Sequence, residues 1–183
     1  MLLSDKKESP IRGITGLGGG VASYIFYGSG AGGEYELARS LEFDPTDTSY
    51  LQRTYSLGGN RQIWTAAFWM KPTISTVGVI FAGYNGTSIA EENYATVSIS
   101  TLSRLRVGNA SIPYKLTTRR FKDLAAWYHI TIAVDTTDAL GNNRVRIYVN
   151  GVEETQFEET NNPPQNQILG WNGAAFDHRI GSE

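Results

Sequence analysis

The side chains able to do chemistry are few, and their spacing already narrows the chemistry. Cysteine is absent, which removes disulfides, thiolate metal sites and cysteine nucleophiles. The two histidines, His129 and His178, are too far apart in sequence to form a local zinc or metalloprotease motif. Glu42-x-Asp44-x-x-Asp47 imitates the paired carboxylates of a retaining glycosidase, which must lie about 5 Å apart. Pro45 interrupts a strand directly after Asp44, and Glu42 and Asp44 alternate with Leu41 and Phe43, so these acids read as the wet face of an early strand. No catalytic residue is assigned, and a non-enzymatic protein is expected. Asp135, Asp138, Asn142 and Asn143 cluster in one connection and are the candidate calcium ligands, calcium being the one cofactor considered; the same residues are ordinary turn formers. Tyr84-Asn85-Gly86, Tyr94 and Trp171-Asn172-Gly173 combine aromatic rings with amide hydrogen-bonders, the chemistry of a sugar site, so Tyr84, Asn85, Tyr94, Trp171 and Asn172 are the candidate ligand residues.

These residues need a scaffold, and the chain is long enough to build one. With 183 residues, 40% of them hydrophobic, it can enclose one sizeable core. Sixteen Lys and Arg against eighteen Asp and Glu give a net charge of -2, with no basic block beyond Arg119, Arg120 and Lys122, so nucleic acid is not an expected partner. The N-terminus lacks the apolar core of a secretory signal, and the longest apolar run, residues 21–27, is too short to cross a bilayer. Synthesis in a cytoplasm and no membrane partner are expected.

Glycine is concentrated between Gly13 and Gly33, which marks residues 1–37 as an arm preceding a domain at 38–183. Inside the arm, Val21, Tyr24, Ile25, Phe26 and Tyr27 are large residues of high strand propensity, and they are expected to dock on a neighbour as an assembly element.

From Ala38 onward the pattern is one of short, alternating segments separated by Gly, Asn, Pro and Asp. Residues 63–70 are apolar on both faces, as a central sandwich strand would be. Further strands are expected at 77–84, 94–100 and 103–107. The clearest pair is 127–135 with 144–149, followed by Asn150-Gly151, a type I′ hairpin signal, and a returning strand at 152–157. A strict two-residue turn places Glu154 opposite Ile147, so a bulge near Gly151 is expected to shift the register. Residues 88–93 and 119–126 are expected to form a helical turn or two at most. The fold class is all-β, an antiparallel jelly-roll sandwich of about ten strands.

Two stretches carry a resemblance. Ser40-Leu-Glu-Phe-Asp44 through Thr54, with Asn60-Arg-Gln-Ile-Trp-Thr65 and Phe68-Trp-Met-Lys71, and then Ala126-Trp-Tyr-His-Ile130 with Asn143-Arg-Val-Arg-Ile-Tyr-Val-Asn-Gly-Val152, resemble the laminin-G-like, concanavalin A-like jelly-roll domains of phage structural proteins of tail-fibre type. The resemblance implies that Trp64, Trp69 and Trp127 are core or sheet-covering aromatics and that His129 is structural. It also implies a last strand after Ile180-Gly181, which the sequence ending at Glu183 lacks. The function it implies is that of a non-enzymatic virion protein, a surface-exposed fibre or decoration component located in the virion. Its partners would be other virion proteins and sister copies held through the N-terminal arm, with a host surface glycan as a further ligand for host attachment. The alternative is a free-standing carbohydrate-binding lectin.

Overall fold

The computed structural model describes residues 40–43, 49–73, 77–86, 93–109 and 111–181. The chain divides into two compact units, Met1–Asp44 and Pro45–Glu183. Of the first, only residues 40–43 are described; they form no strand, and Leu41 is exposed, so the strand expected on Leu41 and Phe43 is not formed there. The residues proposed for the assembly arm, and Asp44 and Asp47, lie outside the described residues.

The second unit is a sandwich of two antiparallel sheets. The strands are β1 (Leu51–Thr54), β2 (Ile63–Met70), β3 (Gly78–Tyr84), β4 (Tyr94–Ile99), β5 (Arg104–Gly108), β6 (Pro113–Arg120), β7 (Tyr128–Asp135), β8 (Val145–Val149), β9 (Val152–Glu153), β10 (Phe157–Thr160) and β11 (Asp177–Ile180). One sheet has the order β1-β11-β3-β4-β5-β6-β10 and the other the order β2-β7-β8-β9.

Alternation decides the core. Ile130, Ile132 and Val134 of β7 and Val145, Ile147 and Val149 of β8 project inward and are buried, facing Val97, Leu105 and Val107 of the larger sheet. Aromatic contacts join the layers on the β2 side: Phe68 meets Phe81 edge-on at 4.7 Å between ring centres, and Trp171 lies 5.4 Å from Trp64 and 6.4 Å from Phe81.

Several expectations are corrected by these placements. The segment 63–70 is an outer strand of the four-stranded sheet among the described residues, not a central one. It reads as apolar on both faces because its outward residues include Ile63 and Trp69, and Trp69 covers the cross-strand His129 ring at 5.1 Å. The two-residue turn at Asn150-Gly151 is strict, with Val149 paired to Val152 and the Glu154 N–H donating to the Ile147 carbonyl at 2.8 Å. No bulge forms at the turn because Arg119 donates to the Glu154 carboxylate at 2.5 Å, so the acid is tolerated where it falls. The register shift occurs later, between Phe157 and Glu159. The returning segment also splits: β9 stays with the small sheet, while β10 crosses to pair with β6. Instead of a helical turn from 119, strand β6 runs through Arg120, and Phe121 follows it into the core.

Candidate functional site

One rim of the sandwich collects the polar and aromatic groups. There β1 ends, β11 begins, β3 ends and β4 begins, and the register sets Thr54, Asp177, Tyr84 and Tyr94 side by side across four strands. Direct cross-strand partners share a face, and this row points away from the second sheet because Ala95 and Val97 take the inner positions. The connection from β1 to β2 and the connection into β11 complete the rim.

These two connections are stitched together by hydrogen bonds. The Gly59 N–H donates to the Asn172 carbonyl at 2.8 Å, the Asn172 side-chain amide donates to the Asn60 carbonyl at 3.0 Å, and the Ala175 N–H donates to the Tyr55 carbonyl at 2.7 Å. A side chain at Gly58 would put its Cβ 3.1 Å from the Ala174 nitrogen and 3.2 Å from the Asn172 carbonyl oxygen, so glycine permits the close approach. Asn172 itself sits at φ 57°, a left-handed conformation asparagine tolerates better than most residues.

Between the connections opens a pocket of about 350 Å³ lined by Tyr55, Leu57, Gly58, Gly59 and Asn172. Leu57 is 85% exposed, and Tyr55 is 39% exposed beside it, so an apolar side chain and a phenol ring stand in solvent next to an amide and glycine backbone. The Arg53 guanidinium lies over the Tyr55 ring, 4.6 Å from its centre. On the other side the His178 ring meets Tyr55 edge-on at 5.0 Å.

His178 is the post on which the pocket loop hangs. The Asn172 N–H donates to Nε2 at 3.1 Å, so Nε2 carries no proton and Nδ1–H donates to the Phe176 carbonyl at 3.1 Å. Burial pushes the pKa of this imidazole below its ordinary 6.5, against the opposing pull of the Phe176 carbonyl, the Asp177 charge and the Arg53 backbone. The folded state therefore binds fewer protons than the unfolded one just below pH 6.5. The His178 contribution is complete above pH 6.5 and is lost as pH falls through the depressed folded value. Thermal unfolding between pH 7.5 and pH 5 should show a falling midpoint, and His178→Gln should flatten that fall; equal slopes in both proteins would contradict it.

The sequence-derived candidates divide among different places. Asn172 lines the pocket. Trp171 does not: its ring turns inward onto Trp64 and Phe81 and serves the core. Tyr84 and Tyr94 pack edge-to-face at 5.6 Å as cross-strand partners on the outer face, and the Asn85 amide donates to the Asn93 Oδ1 at 2.5 Å across their connection. Tyr55, Leu57, Gly58 and Gly59 carried no sequence signal of a site, although Leu-Gly-Gly-Asn after a short strand is the pattern of an exposed apolar residue in a tight loop.

The calcium candidates do come together, as a turn. Asp135 Oδ1 accepts from the Thr137 N–H at 2.9 Å and its hydroxyl at 2.6 Å. Asp138 accepts from the Leu140 N–H at 2.7 Å and the Asn143 amide at 3.2 Å. The Asn142 Oδ1 accepts from the Asn162 amide at 2.8 Å. The carbonyl oxygens of Asp138, Ala139 and Pro163 converge on the Arg144 guanidinium, which braces the connection.

The strand acids serve as structural partners. Glu153 pairs with Arg146 at 2.6 Å, Glu154 with Arg119, and Glu158 with Arg104 at 3.3 Å, while Asp177 accepts from the Thr54 hydroxyl. Among the described residues no three His, Cys, Asp or Glu side chains gather as a metal-binding group. No described helix is long and apolar enough to cross a membrane.

Comparison with known proteins decides the family. The model of the Concanavalin A-like lectin/glucanases superfamily matches residues 44–179, well over half the chain. The chain belongs to that superfamily. No curated protein sequence matches. Among solved structures, the native heptameric SAP-like pentraxin from Limulus polyphemus is similar, with 22% identity and a TM-score of 0.49. The likeness covers 75% of this chain and only 59% of the pentraxin chain.

The sandwich is a concanavalin A-like jelly roll, and among the described residues Asp135, Asp138, Glu153, Glu154, Glu158 and Asp177 serve as strand and turn partners. The expectation of a phage virion or tail-fibre protein, with other virion proteins and arm-linked sister copies as partners, is corrected: the family match is to the Concanavalin A-like lectin/glucanases superfamily, which names no particle. The reason is physical. The segments that suggested a phage fibre, around Trp64, Trp127 and Asn150-Gly151, are the core strands and the hairpin turn, so they report the sandwich and not the particle that carries it.

Proposed function

We propose that this domain binds carbohydrate at the rim pocket. The observation that carries the reading is the combination in one open pocket of a half-exposed tyrosine ring, an exposed leucine, an asparagine amide and two glycines. A pyranose has an apolar face of C–H groups and an equatorial ring of hydroxyls. The first is matched by Tyr55 and Leu57, the second by the Asn172 amide and by the exposed backbone beside it at Gly58. The Asn172 amide nitrogen is held by the Asn60 carbonyl and its N–H by His178, so its side chain is fixed before a ligand arrives. Membership of a superfamily that includes lectins supports the reading without choosing a sugar.

A glycan array probed with the full chain and with Tyr55→Ala tests it. The wild-type chain should capture a defined set of oligosaccharides, and the variant should lose affinity for that set by about tenfold or more, the cost of removing a central aromatic contact. The Tyr55 link to Ala175 runs through its backbone carbonyl and survives the substitution. Capture of no glycan, or equal capture by both proteins, would overturn the reading.

A further inference from the structure

The charge around the rim pocket is out of keeping with the rest of the protein. The chain as a whole carries two more acidic than basic residues. Yet residues 49–62 and 163–176, the two stretches that build the pocket, contain Arg53 and Arg61 and no aspartate or glutamate.

Both guanidinium groups lie over rings. Arg53 sits over Tyr55 at 4.6 Å from the ring centre, and Arg61 over Phe176 at 4.8 Å while donating through Nε to the Leu169 carbonyl at 2.9 Å. Arg61 is thus committed to bracing the loop. Arg53 is exposed and makes no ion pair with any described carboxylate. Among the described residues Asp177, next to the cross-strand partner of Arg53, pairs with Thr54 on the opposite face of the sheet, where the Thr54 hydroxyl donates to it at 2.6 Å and Arg179 lies at 3.9 Å. His178, the cross-strand partner of Arg53, is neutral and has both ring nitrogens engaged.

We infer that the pocket takes an acidic sugar, a uronic acid residue, whose carboxylate is received by the Arg53 guanidinium while its ring lies against Tyr55 and Leu57. The inference rests on the carbohydrate-binding reading of the same pocket and adds the class of sugar. Arg53 is exposed, and a guanidinium presents parallel N–H donors that match the two oxygens of a carboxylate. Holding the group on a ring in advance lowers the ordering cost of binding. A neutral sugar would gain at most an uncharged hydrogen bond from Arg53, whereas a uronate would find a cation that no described carboxylate pairs with.

The test uses pairs of oligosaccharides that differ only in the oxidation state of C6 in each unit: uronate oligomers of gluco, galacto and manno configuration, each beside its carboxyl-reduced, neutral counterpart. Titration calorimetry with the full chain should show at least one uronate binding about tenfold more tightly than its reduced partner, the value of one charge-assisted, bidentate contact at an accessible site. The preference should shrink as salt is raised. Arg53→Gln should bring the uronate down to the affinity of the reduced sugar. Arg53→Lys should retain part of the preference, since it keeps the charge and loses the fork. Reduced sugars that bind as well as uronates would overturn the acidic-sugar assignment and leave carbohydrate binding in place. A uronate preference that survives Arg53→Gln would overturn the role of Arg53. Binding of neither class would overturn both readings together.

Discussion

Gly170→Ala is expected to destabilise the domain by about 2–4 kcal/mol, an overpacking cost at the upper end of the usual range. The reason lies where the chain returns from the second sheet toward the rim. A Cβ on Gly170 would sit 2.4 Å from the carbonyl carbon of Tyr94, 2.6 Å from its nitrogen and 2.7 Å from the nitrogen of Ala95. All three are backbone atoms of β4, so no side chain can swing aside. Gly83 on the neighbouring strand is bound to the same contact, since a Cβ there would lie 2.4 Å from the Gly170 carbonyl oxygen. The segment would have to lift off β3 and β4, taking Trp171 away from Trp64 and Phe81 and Asn172 away from the pocket. Chemical denaturation monitored by tryptophan fluorescence should show a lowered midpoint. A stability within 0.5 kcal/mol of wild type, the ordinary scatter of surface changes, would contradict the packing described.

The second large effect is in the core. Phe121→Ala should cost about 3–5 kcal/mol, the range for truncating a fully buried phenylalanine. Phe121 is 1% exposed, meets Tyr128 edge-on at 5.0 Å, and has its N–H bonded to the Ser103 carbonyl at 2.7 Å. Its ring therefore packs the end of β6 against the start of β7, while its backbone N–H ties the same point to the β4–β5 turn. Truncation leaves a cavity beside a backbone that this bond keeps in place. Denaturant titration measures the loss directly, and a change below about 1 kcal/mol would mean that the site collapses or that the ring is not central.

The fold was legible where one face of a strand is apolar and the other is not. Strands β7 and β8 show period-two alternation and are followed by Asn150-Gly151, and both residues take the positive φ that a type I′ turn requires, 52° and 80°. Strand β6 was hidden because its sequence, Pro-Tyr-Lys-Leu-Thr-Thr-Arg-Arg, looks like surface. Yet Lys115 is 3% exposed with its ammonium over the Phe157 ring at 4.8 Å, and burial pushes its pKa down. Thr117, fully buried, is tolerated because its hydroxyl accepts from the Leu105 N–H at 3.1 Å and donates to the Arg119 carbonyl at 3.0 Å. Strand β11, Asp-His-Arg-Ile, was hidden in the same way: Asp177 and Arg179 find partners in Thr54 and Gln52, which lie far away in sequence, and His178 is engaged by the turn at Asn172.

The site shows the same limit more sharply. Asn172 was visible as a turn asparagine beside an aromatic, but the aromatic that matters to the pocket is Tyr55, more than a hundred residues earlier. The pairing of β1 with β11 and the hydrogen bonds from Gly59, Asn172 and Ala175 across that separation bring the two together. Trp171, adjacent to Asn172, was the natural sequence choice; the left-handed turn at Asn172 sends the two side chains in different directions, one to the core and one to the pocket. A pocket between two connections leaves no periodic trace in either of them.

The most direct test of the account is to map amide chemical shifts of the isotope-labelled full chain while titrating an oligosaccharide captured on the array. If carbohydrate binds at the rim, the amides of Tyr55, Leu57, Gly58, Gly59 and Asn172 shift together and saturably, with Arg53 moving alongside when the sugar is a uronate. Shifts confined to the outer-face pair Tyr84 and Tyr94, or to the turn at Asp135–Asn143, with the rim amides unmoved, would show that the pocket between the two connections is not where this lectin-type sandwich meets its ligand.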